Sequence, residues 1–75
     1  MTEVIKEALE KAPFKNRVYG AMAINGWSIQ DLANKIARFK GRSSLSISYT
    51  RDAIYGKTGK SYDETRTIIK GLLGI

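Results

Sequence analysis

The chain reads as an all-α protein, a compact domain of five helices. Three observations predict it. Apolar residues recur at spacings of three and four along most of the chain, which is the period of a helix with one buried face. Side chains that cap helix starts and residues that end helices alternate along it, at Ser28, Ser61, Asn25-Gly26 and Gly56. No run alternates convincingly at the period of a strand. With 75 residues, one small domain and a single core are the ceiling.

The first helix is expected over 2–11. Thr2 is placed to cap it, and Glu3 sits in the first turn, where the helix dipole favours a negative charge. Val4, Ile5, Ala8, Leu9 and Ala12 form its apolar stripe, and Glu7 with Lys11 makes an i, i+4 pair in the favoured order. Its polar face mixes both charges, which suits core packing or a partner surface better than a membrane surface. Pro13 fits the first turn of a second helix, expected over 13–24 with Phe14, Val18, Ala21 and Met22 on one face and Ile24 near its end. Asn25-Gly26 is a strong stop.

Ser28 opens the third helix. Ser28-Ile29-Gln30-Asp31 is a capping box with Asp as its acid, and Trp27 is placed to staple against Leu32. Ile29, Leu32, Ala33 and Ile36 make the buried stripe, with Ala37 beside it; Ala33 is small enough to let a neighbouring helix cross closely. A basic, Gly- and Ser-rich connector follows from Phe39 to Ile47, with Leu45 and Ile47 turned inward. A short fourth helix is expected over 48–55, capped by Ser48 or Thr50, with Ala53 and Ile54 in the core. Gly56-Lys57-Thr58-Gly59-Lys60 is a turn. The fifth helix starts at Ser61, with Glu64 completing a capping box, and Tyr62, Thr65, Ile68, Ile69, Leu72 and Leu73 form its inner face. Gly71 weakens it, and Gly74 ends it.

Charge is segregated along this plan. The net charge is +6. Residues 35–60 carry Lys35, Arg38, Lys40, Arg42, Arg51, Lys57 and Lys60 against Asp52 alone, so this one segment accounts for the whole excess. A concentrated positive field is the footprint expected for a polyanionic partner; an ordinary solvated surface is the plainer alternative. The chain has no cysteine and no histidine, which removes disulfides, thiolate zinc sites and the commonest general base. With no convergent carboxylate pair either, nothing points to an enzyme, a metal or a cofactor. The Gly56–Lys60 turn lacks the spacing and preceding strand of a phosphate loop. No apolar run approaches the roughly 20 residues of a membrane span, and Glu3, Glu7 and Glu10 argue against a secretory signal. A soluble cytoplasmic protein is expected.

The helix at Ser28–Ala37, the connector and the helix after it have the layout of a helix-turn-helix. Gly26-Trp27-Ser28-Ile29-Gln30-Asp31-Leu32-Ala33 matches the pattern G-x-[ST]-x-x-x-L-A. With Tyr49–Lys57, the basic Gly56–Lys60 turn and Ser61-Tyr62-Asp63-Glu64-Thr65, this resembles the lambda repressor/Cro-type helix-turn-helix family over residues 14–73. The connector is longer than the family's turn of about four residues, and no short glycine-containing turn is expected directly after the first motif helix. The resemblance implies a lambda repressor-like fold and a small regulator of a temperate-phage genetic switch acting in a bacterial host. Two functions follow. One is binding of duplex DNA, with the second motif helix in the major groove. Ser48, Tyr49, Thr50, Arg51 and Tyr55 would then face bases, while Lys35, Arg38, Lys40, Arg42, Lys57 and Lys60 would meet phosphates, with Thr58 or the Ser61 amide as further donors. The other is an antirepressor of the modulator-of-repression type, which binds a phage repressor protein through the same basic surface. A homodimer would suit a DNA reader, through the N-terminal helix or the Leu72–Ile75 tail.

Overall fold

The structure is a computed structural model that describes residues 13–75. They form four helices: α1 (Phe14–Asn25), α2 (Ile29–Phe39), α3 (Ile47–Ile54) and α4 (Lys60–Leu73). The fold is all-α, and the expected count of five helices is corrected to four among the described residues. The four correspond to the helices expected from residue 13 onward, and the stretch between α2 and α3 is a connector, with Arg42, Ser43 and Ser44 exposed. The expected helix over 2–11 lies outside the described residues.

α1 begins at Phe14, one residue later than expected: Pro13 is its N-cap and lies outside the first turn, with its carbonyl accepting from the Arg17 amide at 3.2 Å. Val18 and Met22 are buried, and Phe14 packs at the edge of the core. Ile24, near the end of α1, is 88% exposed. Two residues beyond Met22, it lies about 200° further round the helix and faces away from the core. Gly26, at φ 70°, ends α1 in the left-handed conformation expected there, and the Trp27 amide closes the turn onto the Met22 carbonyl at 2.9 Å.

α2 is the best-specified element. The Ser28 hydroxyl accepts from the Asp31 amide at 3.1 Å, and the Asp31 carboxylate accepts from the Ser28 amide at 2.8 Å, a reciprocal capping box. The Ser28 amide first and the nearby Ser28 hydroxyl second, with the Lys35 charge contributing, hold the Asp31 carboxyl below the usual aspartate range. Leu32, Ala33 and Ile36 are fully buried, and Ala37 nearly so.

The end of α2 corrects a second expectation. Gly41, at φ 72°, follows its last turn directly. The Arg42 amide donates to the Ala37 carbonyl at 2.8 Å and the Gly41 amide to the Arg38 carbonyl at 3.1 Å, the paired bonds of a Schellman motif. A glycine-containing turn therefore does close the first motif helix. What lengthens the connection is the stretch after it, which carries Leu45 into the core before α3 begins.

α4 packs on α1, α2 and α3 and closes the core around Ile69. Full burial of Leu32, Ile36, Ile54 and Ile69 contributes about 1.5–3 kcal/mol apiece. Two buried polar residues sit among them. Thr50 donates its hydroxyl to the Ser46 carbonyl at 3.0 Å, and Thr65 donates to the Ser61 carbonyl at 2.9 Å. Both bond one turn back within their own helices, so each hydroxyl is satisfied at little cost to the core. α4 also starts differently from expectation. Its N-cap is Gly59, with no side-chain bond to the first turn, and Ser61 lies inside the helix. The Ser61 hydroxyl is bonded to Tyr49 Oη instead of capping, and the tertiary bond displaces the expected box with Glu64.

Candidate nucleic-acid interface

The disposition of α3 decides which side chains a partner meets. Its cap is Ser46, whose hydroxyl accepts from the Tyr49 amide at 3.2 Å. Neither Ser48 nor Thr50 caps the helix, and it starts one residue earlier than expected. Ser46 precedes Ile47, which is half-buried, so capping and burial together favour the earlier start. With this phase, Thr50, Ala53 and Ile54 face inward. At 100° per residue, the opposite face carries Ser48, Asp52 and Tyr55, with Arg51 on the flank toward α1 and Tyr49 on the flank toward α4.

Three of the expected contact residues are therefore held by the protein itself. Thr50 is fully buried and cannot meet a partner. Tyr49 is half-buried; its ring stacks on Tyr62 with centroids 4.8 Å apart, and its hydroxyl bonds Ser61 and, at 3.2 Å, Thr65. Burial alone would raise the Tyr49 hydroxyl's pKa. The Ser61 and Thr65 bonds, with the Lys40 charge, outweigh it and leave the group below its ordinary value. Lys40 donates from Nζ to Thr65 Oγ1 at 2.6 Å and lies 5.3 Å from the Tyr49 ring centre. Its ammonium joins the connector to α4.

Ser48, Arg51 and Tyr55 are exposed along one side of α3. Arg51 forms no ion pair among the described residues: Asp52 pairs with Lys57 at 3.6 Å, and Asp31 is engaged by Ser28. Lys57 lies near the Tyr62 ring, and the Tyr62 hydroxyl first, then Asp52, raise its pKa. Arg38, Arg42 and Lys60 are exposed. Lys35 sits over Trp27, 4.6 Å from the ring centre. The expected residues thus divide into an outward strip on α3, a set of separate exposed cations, and an internal group around Thr65.

Three residues with positioning roles fall outside those expected. Arg66 donates from Nη1 to the Ala53 carbonyl at 3.0 Å and the Lys57 carbonyl at 2.9 Å, and it pairs with Asp63. It holds the end of α3 and the following turn against α4. Lys15 and Tyr19, on α1, both adjoin Tyr55: the Lys15 ammonium lies 5.3 Å from its ring centre, and the Tyr19 ring lies 6.4 Å away at 58°. Their i, i+4 spacing marks one face of a helix, but the segment's small net charge gave that face no distinction.

Among the described residues no helix is long and apolar enough to cross a membrane. Searches of protein-family models, curated proteins and solved structures return no match to this chain.

Proposed function

We propose that this protein is a small transcriptional regulator that binds duplex DNA through α2 and α3, in the manner of the lambda repressor/Cro-type helix-turn-helix regulators it resembles. The observation that carries this reading is the outward side of α3. It presents Arg51 with no carboxylate partner among the described residues, beside Ser48 and Tyr55, within the segment that accounts for the net charge of +6. A free guanidinium on an exposed helix is suited to the O6 and N7 acceptors of guanine. Arg38, Arg42, Lys57 and Lys60 are the candidates for phosphates on either side.

The test is fluorescence anisotropy with a labelled mixed-sequence duplex over a range of salt concentrations, together with selection of preferred sequences from a random pool. Four to six phosphate contacts give a slope of log affinity on log salt of about −4 to −5. Arg51→Gln should cost roughly 1–3 kcal/mol on the selected sequence and relax preference at one base pair. A flat salt response, or a pool that yields no preferred sequence, refutes the reading.

One observation favours a second reading, an antirepressor that binds a phage repressor protein. Asp52 stands on the same outward face as Ser48 and Tyr55, and its carboxylate would be repelled by phosphates where Lys57 does not cover it. Retention of a repressor protein, with no affinity for duplex DNA, would select this alternative.

A further inference from the structure

We infer that α1 forms part of the same interface: Lys15 holds a backbone phosphate of the duplex on the α1 side of α3, with Tyr19 and Tyr55 as the polar and apolar wall between them. The inference rests on the duplex-binding reading above and extends it to a helix outside the basic segment.

Four observations carry it. Tyr55 is 63% exposed although it is a large aromatic side chain, and it is not left alone: Lys15 lies over its ring and Tyr19 packs against its edge. Arg51, one turn before Tyr55, is near enough to Tyr19 to oppose the rise in its hydroxyl pKa, which burial first and Tyr55 second bring about. Two cations therefore flank one pair of tyrosines. Among the described residues, no carboxylate neutralises either cation, since the ion pairs are Lys57–Asp52 and Arg66–Asp63.

Cation–π contact with Tyr55 is worth about 0.5–1 kcal/mol at an exposed site. That is enough to bias where the Lys15 ammonium sits, and it leaves the charge unneutralised. A duplex strand presents one charge per ~3.4 Å of axis, so with Arg51 at a base edge the adjoining strand carries a phosphate past Tyr55 to Lys15. Tyrosine hydroxyls are common donors to phosphate, and the ring's apolar face suits sugar. The wall would fix the register of α3 in the groove and carry no base preference of its own.

The test compares Lys15→Gln with Arg17→Gln in the full chain. Both variants remove one positive charge from α1, but residues 15 and 17 lie about 200° apart on the helix, and Arg17 borders a groove with Ile24 and Ile75 away from Tyr55. The probe is the labelled mixed-sequence duplex, read as slope of log affinity on log salt. Lys15→Gln should make the slope shallower by about 0.9, equally for preferred and mixed sequences, and Arg17→Gln should leave it unchanged. A steep slope in the parent chain that Lys15→Gln does not alter refutes the role of α1 and leaves the duplex reading standing. Equal reductions by the two variants also refute it, because total charge and not position would then be acting. A flat slope in the parent chain refutes both readings. Circular dichroism of each variant confirms that the fold is retained, and Lys15→Arg should restore the parent slope.

Discussion

Replacement of Thr65 by valine tests the internal group that ties the connector and α3 to α4. Thr65 is fully buried, and its hydroxyl is saturated: it donates to the Ser61 carbonyl at 2.9 Å, accepts from Lys40 Nζ at 2.6 Å and lies 3.2 Å from Tyr49 Oη. Valine keeps the shape and β-branching but removes every one of these bonds. Tyr49 retains Ser61, and the Ser61 carbonyl retains the helix bond of its own turn, so those losses are small. The main loss is the bond from Lys40. A hydrogen bond to a charged group is worth about 1.5–3 kcal/mol net, and Lys40 is half-exposed, so water recovers part of it. The expected destabilisation is about 1.5–2.5 kcal/mol. Urea denaturation measures it directly, and the corresponding fall in melting temperature is roughly 6–20 °C for a domain of this size. Lys40→Met completes a double-mutant cycle, and the coupling between the two positions should be about 1 kcal/mol or more. A Thr65→Val protein within about 0.5 kcal/mol of the parent, or a cycle without coupling, would show that Lys40 is simply solvated and would return it to the exposed cations.

Three further outcomes follow from the helix ends. Ser46→Ala should destabilise by about 1 kcal/mol in urea titration, while Ser48→Ala should stay within about 0.5 kcal/mol, because only Ser46 accepts from the first turn of α3; the reverse order would place the helix start where the sequence alone suggests it. Gly41→Ala should cost about 1–2 kcal/mol through backbone strain alone, since an added Cβ meets no neighbour and the whole penalty comes from the left-handed φ; an unchanged urea midpoint would argue against the Schellman turn. The depressed Asp31 pKa sets a direction for acid stability. The carboxyl's folded pKa lies below its unfolded one, so its contribution is fully present above the ordinary aspartate value of 3.8 and is lost as pH falls through the lower folded pKa. Asp31→Asn should flatten that part of the stability profile below about pH 4, as measured by urea midpoints at stepped pH; a variant with the parent's acid slope would refute the box as its source.

Much of the fold was legible because it is local. The capping box at Ser28 and Asp31, the stripe Leu32-Ala33-Ile36-Ala37 and the stop at Gly26 each depend on residues within one or two turns, and the structure reproduces all of them. The candidate interface was legible only in part. Arg51, Tyr55 and Ser48 face outward, but Thr50 lies in the core, on the same stripe as Ala53 and Ile54 at spacings of three and four, and not on the proposed surface. A serine at 46, 48 or 61 has the same local competence to cap a helix. Which one does so is settled by what else the hydroxyl and its neighbours can bond.

The sequence alone therefore determined the helical period of the described residues, the ends at Gly26 and Gly74, and the concentration of positive charge between residues 35 and 60, since each is a property of neighbours along the chain. Tertiary structure alone decided which of those charges face outward. Lys40 bonds Thr65, Tyr49 bonds Ser61 and Thr65, and Arg66 bonds the carbonyls of Ala53 and Lys57, partners that only the packing of the helices brings within reach. The same packing set Lys15 and Tyr19 of α1 beside Tyr55 of α3. That juxtaposition joins positions some forty residues apart, a distance over which sequence periodicity carries no information.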